Sequence, residues 1–203
     1  SLTKEALLQK VRENPNLIPE VLSGVSSSKA TVRYGCAKVL MDLSEEQPER
    51  LYQYMDSFTA LLDSKYRILV WNAMAIIANL ARVDRDRKFD AVFDKYYGFL
   101  NDEYMVTVAN VVGSSAKIAL AKPYLVQKIT TELLKVENIS TTPHLTLECK
   151  LVLAEKAIES FDAFFDKIQN KDAIILFVKR NRNSSRKSLR TKAESFLEKW
   201  AVP

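Results

Sequence analysis

The sequence predicts an all-α fold: a right-handed α-α superhelix, or solenoid, of about five helix pairs plus a C-terminal helix, with residues 1–203 forming a single repeat domain. Three observations lead there. Apolar residues recur at helical spacing almost throughout. Long amphipathic segments alternate with shorter ones across brief loops. The long segments also superpose on one another at a nearly constant interval. One helix pair cannot bury its own apolar face, but stacked pairs share a continuous core.

The long segments come first. Residues 32–43 align Val32, Cys36, Val39, Leu40 and Leu43 at helical spacing. Residues 69–80 repeat the pattern with Leu69, Ala73, Ile76, Ile77 and Leu80. Residues 105–120 offer Met105, Val108, Val111, Val112 and Ile118, and residues 147–158 offer Leu147, Leu151, Ala154 and Ile158. The shorter segments run from Pro48 to Leu62, from Arg87 to Leu100 and from Pro123 to Val136. In a solenoid the second helix of each pair often lines the binding surface, so these three segments are the expected lining.

The punctuation agrees. Pro48, Pro123 and Pro143 suit the first helical position, where the missing N–H costs nothing, and Thr142 reads as the N-cap before Pro143. Ser26 to Ser28 and Asp63-Ser64 read as loops ending in a cap, and Asp84 and Asp102 as caps for the helices after them. Residues 172–180 carry a β-branched run that fits a buried strand, but the helical context and a cap at Asp172 favour a helix. Ser184 or Ser185 is the expected cap of a last helix reaching Trp200. Aligning Cys36 with Ala73 gives an interval of 37 residues, and aligning Leu69 with Thr107 gives 38. An interval of 34, from Arg33 to Arg67, fits almost as well.

The segment Val32-Arg33-Tyr34-Gly35-Cys36-Ala37-Lys38-Val39-Leu40-Met41-Asp42-Leu43 resembles the first helix of a HEAT repeat: a Val-Arg pair, two small residues, then leucines at helical spacing. Asp63 to Leu80 is similar but less regular. The resemblance is best over residues 30–140 and extends further by periodicity only. It implies an armadillo-like helical repeat whose work is to bind another macromolecule.

Composition narrows the chemistry. Only four glycines occur in 203 residues, which disfavours phosphate-cradling loops and turn-rich β folds. Cys36 and Cys149 are far apart in sequence, which supports neither a disulfide framework nor a metal site, and no cofactor is expected. The first twenty residues are too charged for a secretory leader and no apolar run is long enough for a membrane span, so a cytoplasmic location without membrane contact is expected. No terminal capping repeat is evident at Ser1 or Pro203, the pattern expected of a fragment of a longer array. His144 is the only histidine and has no acid, serine or cysteine beside it, so a nucleophilic triad is not expected. Asp84, Asp86, Asp90 and Asp94 alternate with cations, as on a solvated, ion-paired helix.

Charge is uneven. Lys179, Arg180, Arg182, Arg186, Lys187, Arg190 and Lys192 give residues 179–192 a charge of +7 without an acid, leaving −2 for the other 189 residues. Lys179, Arg180 and Arg182 suit a helix C-terminus, whereas Arg186 and Lys187 fall at the start of the next helix, where a free N-terminus with Ser184 and Ser185 makes an anion site. The candidate partner- or anion-binding residues are therefore Lys179, Arg180, Arg182, Arg186, Lys187 and Arg190, and Tyr52, Tyr54 and Tyr97 are candidate interface aromatics. The expected function is a non-catalytic scaffold for a protein partner. The alternative is a solenoid that binds nucleic acid or phosphate through the basic segment. HEAT-like alkylpurine DNA glycosylases carry an enzymatic version of that alternative, on an aspartate and aromatics in a basic groove, but none of their residues maps onto this chain.

Overall fold

The computed structural model describes residues 3–202; Ser1, Leu2 and Pro203 lie outside them. The named elements of the described residues are all helices, and none of these is long and apolar enough to cross a membrane. The chain divides into two compact units, Ser1–Val92 and Phe93–Pro203.

In the first unit the helices are α1 (Lys4–Glu13), α2 (Ile18–Gly24), α3 (Ala30–Glu46), α4 (Pro48–Leu51), α5 (Met55–Leu61), α6 (Arg67–Leu80) and the start of α7 (Lys88–Gly98). Thr3 caps α1, its hydroxyl accepting from the Ala6 N–H at 3.2 Å. The single helix expected over 48–62 is two, α4 and α5, joined by a 3₁₀ turn at Tyr52–Tyr54. The core is built from α3, α5 and α6, where Leu40, Leu43, Met55, Phe58, Ala73, Met74 and Ile77 are fully buried. Polar groups between α3 and α6 are paired: the Asn79 amide donates to the Ser44 hydroxyl at 2.9 Å, and the Asn72 amide to the Met41 sulfur at 3.5 Å. Both partners advance together, so α3 and α6 run parallel. Gly24 is required where α2 crosses α3, because a Cβ there would collide with the Cys36 sulfur.

In the second unit α7 finishes and α8 (Met105–Ala121), α9 (Val126–Leu134), α10 (Leu147–Phe164), α11 (Asp172–Asn181) and α12 (Lys187–Lys199) follow. The 172–180 segment is thus helical. Its N-cap is Lys171, one residue before the expected Asp172. α10 is central and packs on both α8 and α12. The Ser160 hydroxyl reaches across to the Val112 carbonyl at 2.7 Å. Phe161 meets Phe177 edge to face at 6.0 Å between ring centroids, and Phe165 meets Phe196 at 4.9 Å. Ala201, at φ 50°, closes α12 in the left-handed region: its N–H bonds the Glu198 carbonyl at 3.1 Å and the Val202 N–H bonds Leu197 at 2.9 Å.

One turn recurs in both units. Three residues before a long helix, a short polar side chain accepts from the N–H two positions ahead: Ser27 from Lys29 at 3.2 Å, Ser64 from Tyr66 at 3.1 Å, Asp102 from Tyr104 at 2.9 Å and Ser184 from Arg186 at 3.2 Å. These side chains fix the turn rather than cap the helix. The N-cap residues themselves, Lys29, Tyr66, Tyr104 and Arg186, make no side-chain cap bond. Asp84 does cap its helix, accepting from the N–H groups of Lys88 at 2.8 Å and Phe89 at 2.9 Å.

The Thr142-Pro143 cap is a correction. α10 begins at Leu147, and Thr146 caps it by accepting from the Cys149 N–H at 3.3 Å. Thr142 and Leu145 instead exchange backbone bonds of 2.9 and 3.2 Å around a Pro143-His144 turn. That turn is held by the start of α8: the Thr142 hydroxyl donates to the Glu103 carbonyl at 2.6 Å, and the Met105 N–H donates to the His144 carbonyl at 3.3 Å. The local cap preference yields to an otherwise unpaired helix N–H.

Candidate partner-binding surface

The basic segment spans the end of α11, the loop after it and the first half of α12. Its cations divide into two sets. Arg186 is the N-cap residue of α12, and α10 supplies its counter-charges: Nε donates to Glu155 at 2.9 Å and Nη1 to Glu148 at 2.5 Å. The bonds to Glu155 and then Glu148 hold the guanidinium above its ordinary range. Burial pushes the Glu155 carboxyl up, but the Ser188 hydroxyl and Arg186 outweigh it and leave that carboxyl below the usual carboxylate range. Arg180 pairs with Glu137 at 2.8 Å and Lys192 with Glu159 at 3.1 Å. Arg190 folds back on its own loop and donates to the carbonyls of Ser184 at 2.6 Å and Ser185 at 3.0 Å.

Arg33 makes the same fold-back in the first unit, donating to the carbonyls of Ser27 at 2.8 Å and Ser28 at 3.3 Å, with its guanidinium 3.8 Å above the Tyr66 ring. The two sites share a string: Ser-Ser, a cation, one variable position, Thr or Ser, Val or Leu, then Arg, at 27–33 and at 184–190. The anion site expected at the start of α12 is thus already occupied by the protein's own bonds. Lys179, Arg182 and Lys187 remain exposed and without an ion pair among the described residues. Lys179, Arg182, Asn183 and Glu194 line an open cavity of about 460 Å³.

The interface aromatics need correcting too. Tyr52 is buried, its hydroxyl donating to Asp84 at 2.7 Å and accepting from the Asp86 N–H at 3.2 Å. Burial, and then the bond to Asp84, push its phenol up to about 12. Tyr97 is buried, donates to the Ser115 hydroxyl at 3.0 Å and stacks obliquely on Phe93 at 4.6 Å. Only Tyr54 of the three is half-exposed. A phenol at a helical position next to the core gains more by burying its ring and pairing its hydroxyl than by facing water.

The other chemistry-bearing residues have structural roles. His144 is exposed and its ring stacks on Tyr104 at 4.3 Å. Cys36 is buried, and that burial pushes its thiol up, away from the nucleophilic thiolate. Asp90 pairs with Arg87 at 2.6 Å and Asp94 with Lys128 at 2.9 Å, so the run of carboxylates is dispersed.

The sequence reading missed a recurrent exposed apolar position. The expected lining segments turn their large apolar residues inward, Leu51, Met55 and Phe58 on one and Leu125, Ile129 and Leu133 on another. The long helices instead show one apolar side chain to solvent at their starts. In the first unit these are Val32 on α3 and Ile68 on α6, each 42% exposed. In the second they are Val106 on α8, 44% exposed, and Leu147 on α10, 72% exposed, with Leu120 at the far end of α8. α3 and α6 run parallel, so Val32 and Ile68 lie at the same end of that pair. Val106 and Leu147 do likewise, since the start of α8 holds the loop that leads into α10. A signal was available for Ile68 and Val106, which are apolar yet sit off the buried face of their own helix, whereas Val32 and Leu147 stand in register with that face and are exposed because they lie in the first turn.

No family model and no curated protein matches the chain. Solved structures do. The chain is similar to a designed armadillo repeat protein, YIII(Dq)4CqI, at 19% identity and TM-score 0.64, covering 97% of this chain and 86% of that one. It is similar at 17% identity and TM-score 0.67, over 97% and 86%, to the designed armadillo repeat protein YIII(Dq.V1)4CPAF in complex with peptide (KR)4. A third likeness, at 16% identity and TM-score 0.63 over 94% and 84%, is to computationally designed armadillo repeat proteins for modular peptide recognition. These likenesses establish an armadillo-like helical-repeat solenoid.

Proposed function

We propose that the chain is a non-catalytic repeat scaffold that binds an extended segment of a protein partner along its long helices, with residues 1–203 acting as one repeat domain in the cytoplasm. The observation that carries this reading is the exposed apolar residue at the start of successive long helices, Val32 and Ile68 in one unit and Val106 and Leu147 in the other. Repetition matters because an extended polypeptide presents side chains at regular intervals, and a repeat array offers it one contact per repeat. Peptide recognition by proteins of like fold, one of them in complex with peptide (KR)4, is consistent with it.

Selection from a random peptide library tests the idea. Selected peptides should lose about tenfold or more in affinity on Val106→Asp with Leu147→Asp, or on Val32→Asp with Ile68→Asp, while helicity stays unchanged. If no peptide is selected, or if selected peptides bind all variants equally, the reading fails.

A further inference from the structure

The starts of α6 and α8 share a short pattern, Tyr66-Arg67-Ile68 and Tyr104-Met105-Val106: an N-cap tyrosine two residues before an exposed aliphatic side chain. In both, a flat nitrogen-bearing group lies over the phenol ring. In the first unit it is the guanidinium of Arg33, 3.8 Å from the Tyr66 ring centroid, and Arg33 is itself buried. In the second unit it is the imidazole of His144, stacked on Tyr104 at 4.3 Å and within 9° of parallel. His144 is exposed and meets no other ring among the described residues, so one face of its imidazole rests on Tyr104 and the other is left to solvent.

The loop does not need that ring to hold its shape. Thr142 and Leu145 exchange two backbone bonds, and the His144 carbonyl accepts from the Met105 N–H. Charge gives no direction at these two helix starts. Asp102, Glu103 and Glu148 stand against Lys150 and Arg186, the Glu148 carboxylate is bonded to Arg186, and Asp102 accepts from the Tyr104 N–H. What sets this place apart is an open aromatic face at the same end of α8 and α10 as the exposed Val106 and Leu147. An aromatic partner gains from such a face beyond the area it buries.

We propose, resting on the peptide-binding reading above, that the second unit selects an aromatic side chain, which stacks on the open face of His144 while an aliphatic neighbour meets Val106 and Leu147. Alternate side chains of an extended peptide share one side about 7 Å apart, so one short segment carries both. The first unit, with Arg33 buried over its tyrosine, takes the aliphatic contact alone.

The test is selection from a random peptide library on the full chain and, in parallel, on His144→Ala. An aromatic residue should recur at one position among peptides selected on the full chain and not among those selected on the variant. In a selected peptide, cyclohexylalanine in place of that aromatic keeps the bulk and removes the π face. It should cost about threefold or more in affinity on the full chain and nothing on His144→Ala. His144→Phe should restore the preference, and Val32→Asp with Ile68→Asp should leave it unchanged. The inference is overturned if cyclohexylalanine or arginine binds as tightly as the aromatic, or if His144→Ala keeps the preference. Peptides that depend on Val106 and Leu147 but show no aromatic position would sink this inference alone, whereas a library that yields no peptide sinks both readings.

Discussion

The Tyr97–Ser115 pair offers a sharp test of the packing in the second unit. Both residues are buried, Tyr97 donates to Ser115 Oγ at 3.0 Å, and Ser115 in turn donates to the Val111 carbonyl at 2.8 Å. The two single substitutions are therefore unequal. Ser115→Ala strands a buried phenol hydroxyl, which costs about 1–3 kcal/mol, reduced by the few tenths that alanine gains in a helix. Tyr97→Phe removes the donor and leaves Ser115 still bonded to Val111, costing about 1 kcal/mol. In the double variant no hydroxyl is stranded, so its cost should be close to that of Tyr97→Phe alone, a coupling of about 1–2 kcal/mol. Urea unfolding followed by far-ultraviolet circular dichroism measures all four corners of the cycle. If the two losses add to within about 0.5 kcal/mol, the hydroxyl pair is not an isolated buried contact and the reasoning fails.

Two further outcomes follow from local geometry and from charge. Ala201→Gly should raise stability by about 0.5–1 kcal/mol in a thermal melt, because φ 50° penalises a Cβ by more than glycine loses in chain entropy; a lower melting temperature would contradict the helix ending described. Tyr52 is pushed up to about 12 by burial and by Asp84, whereas a tyrosine in the unfolded chain ionises near about 10. Its contribution is therefore fully present below that unfolded value and is lost as pH rises through the window to about 12, because the unfolded state releases its proton first. Urea midpoints across that window should fall less steeply for Tyr52→Phe. The residual slope comes from Tyr96 and Tyr97, both pushed up by burial, and equal slopes in the two proteins would refute the assignment.

The long helices were legible because each buries one face. Leu40, Ile77, Val111 and Ile158 are all fully inside, and one-sided burial enforces helical spacing on a sequence. What the sequence could not show is how distant segments meet. The carboxylates that neutralise Arg180 and Arg186 lie 31–43 residues earlier in the chain, so a run that is purely basic on paper is partly paired in space. The Thr142-Pro143 misreading has the same origin. Its local signals were those of a cap, but contacts with the start of α8 hold the loop: Thr142 bonds the Glu103 carbonyl and His144 stacks on Tyr104, contacts that span 39 and 40 residues. Tyr52 and Tyr97 show the limit of residue-type arguments: a tyrosine's usefulness at an interface says nothing about whether the core takes it first.

The turn that precedes the long helices has a consequence for how such an array can change over time. The stop-and-start instruction is carried by Ser27, Ser64, Asp102 and Ser184, two places upstream of the residue where a helix cap would normally stand. That next residue is released from the punctuation, and it varies: lysine at 29, tyrosine at 66 and 104, arginine at 186. Grammar and vocabulary are thereby uncoupled. A repeat can exchange the side chain at its junction, as the chain did in taking Arg186 for a bridge and Tyr104 for a stack, without losing the signal that starts the helix after it.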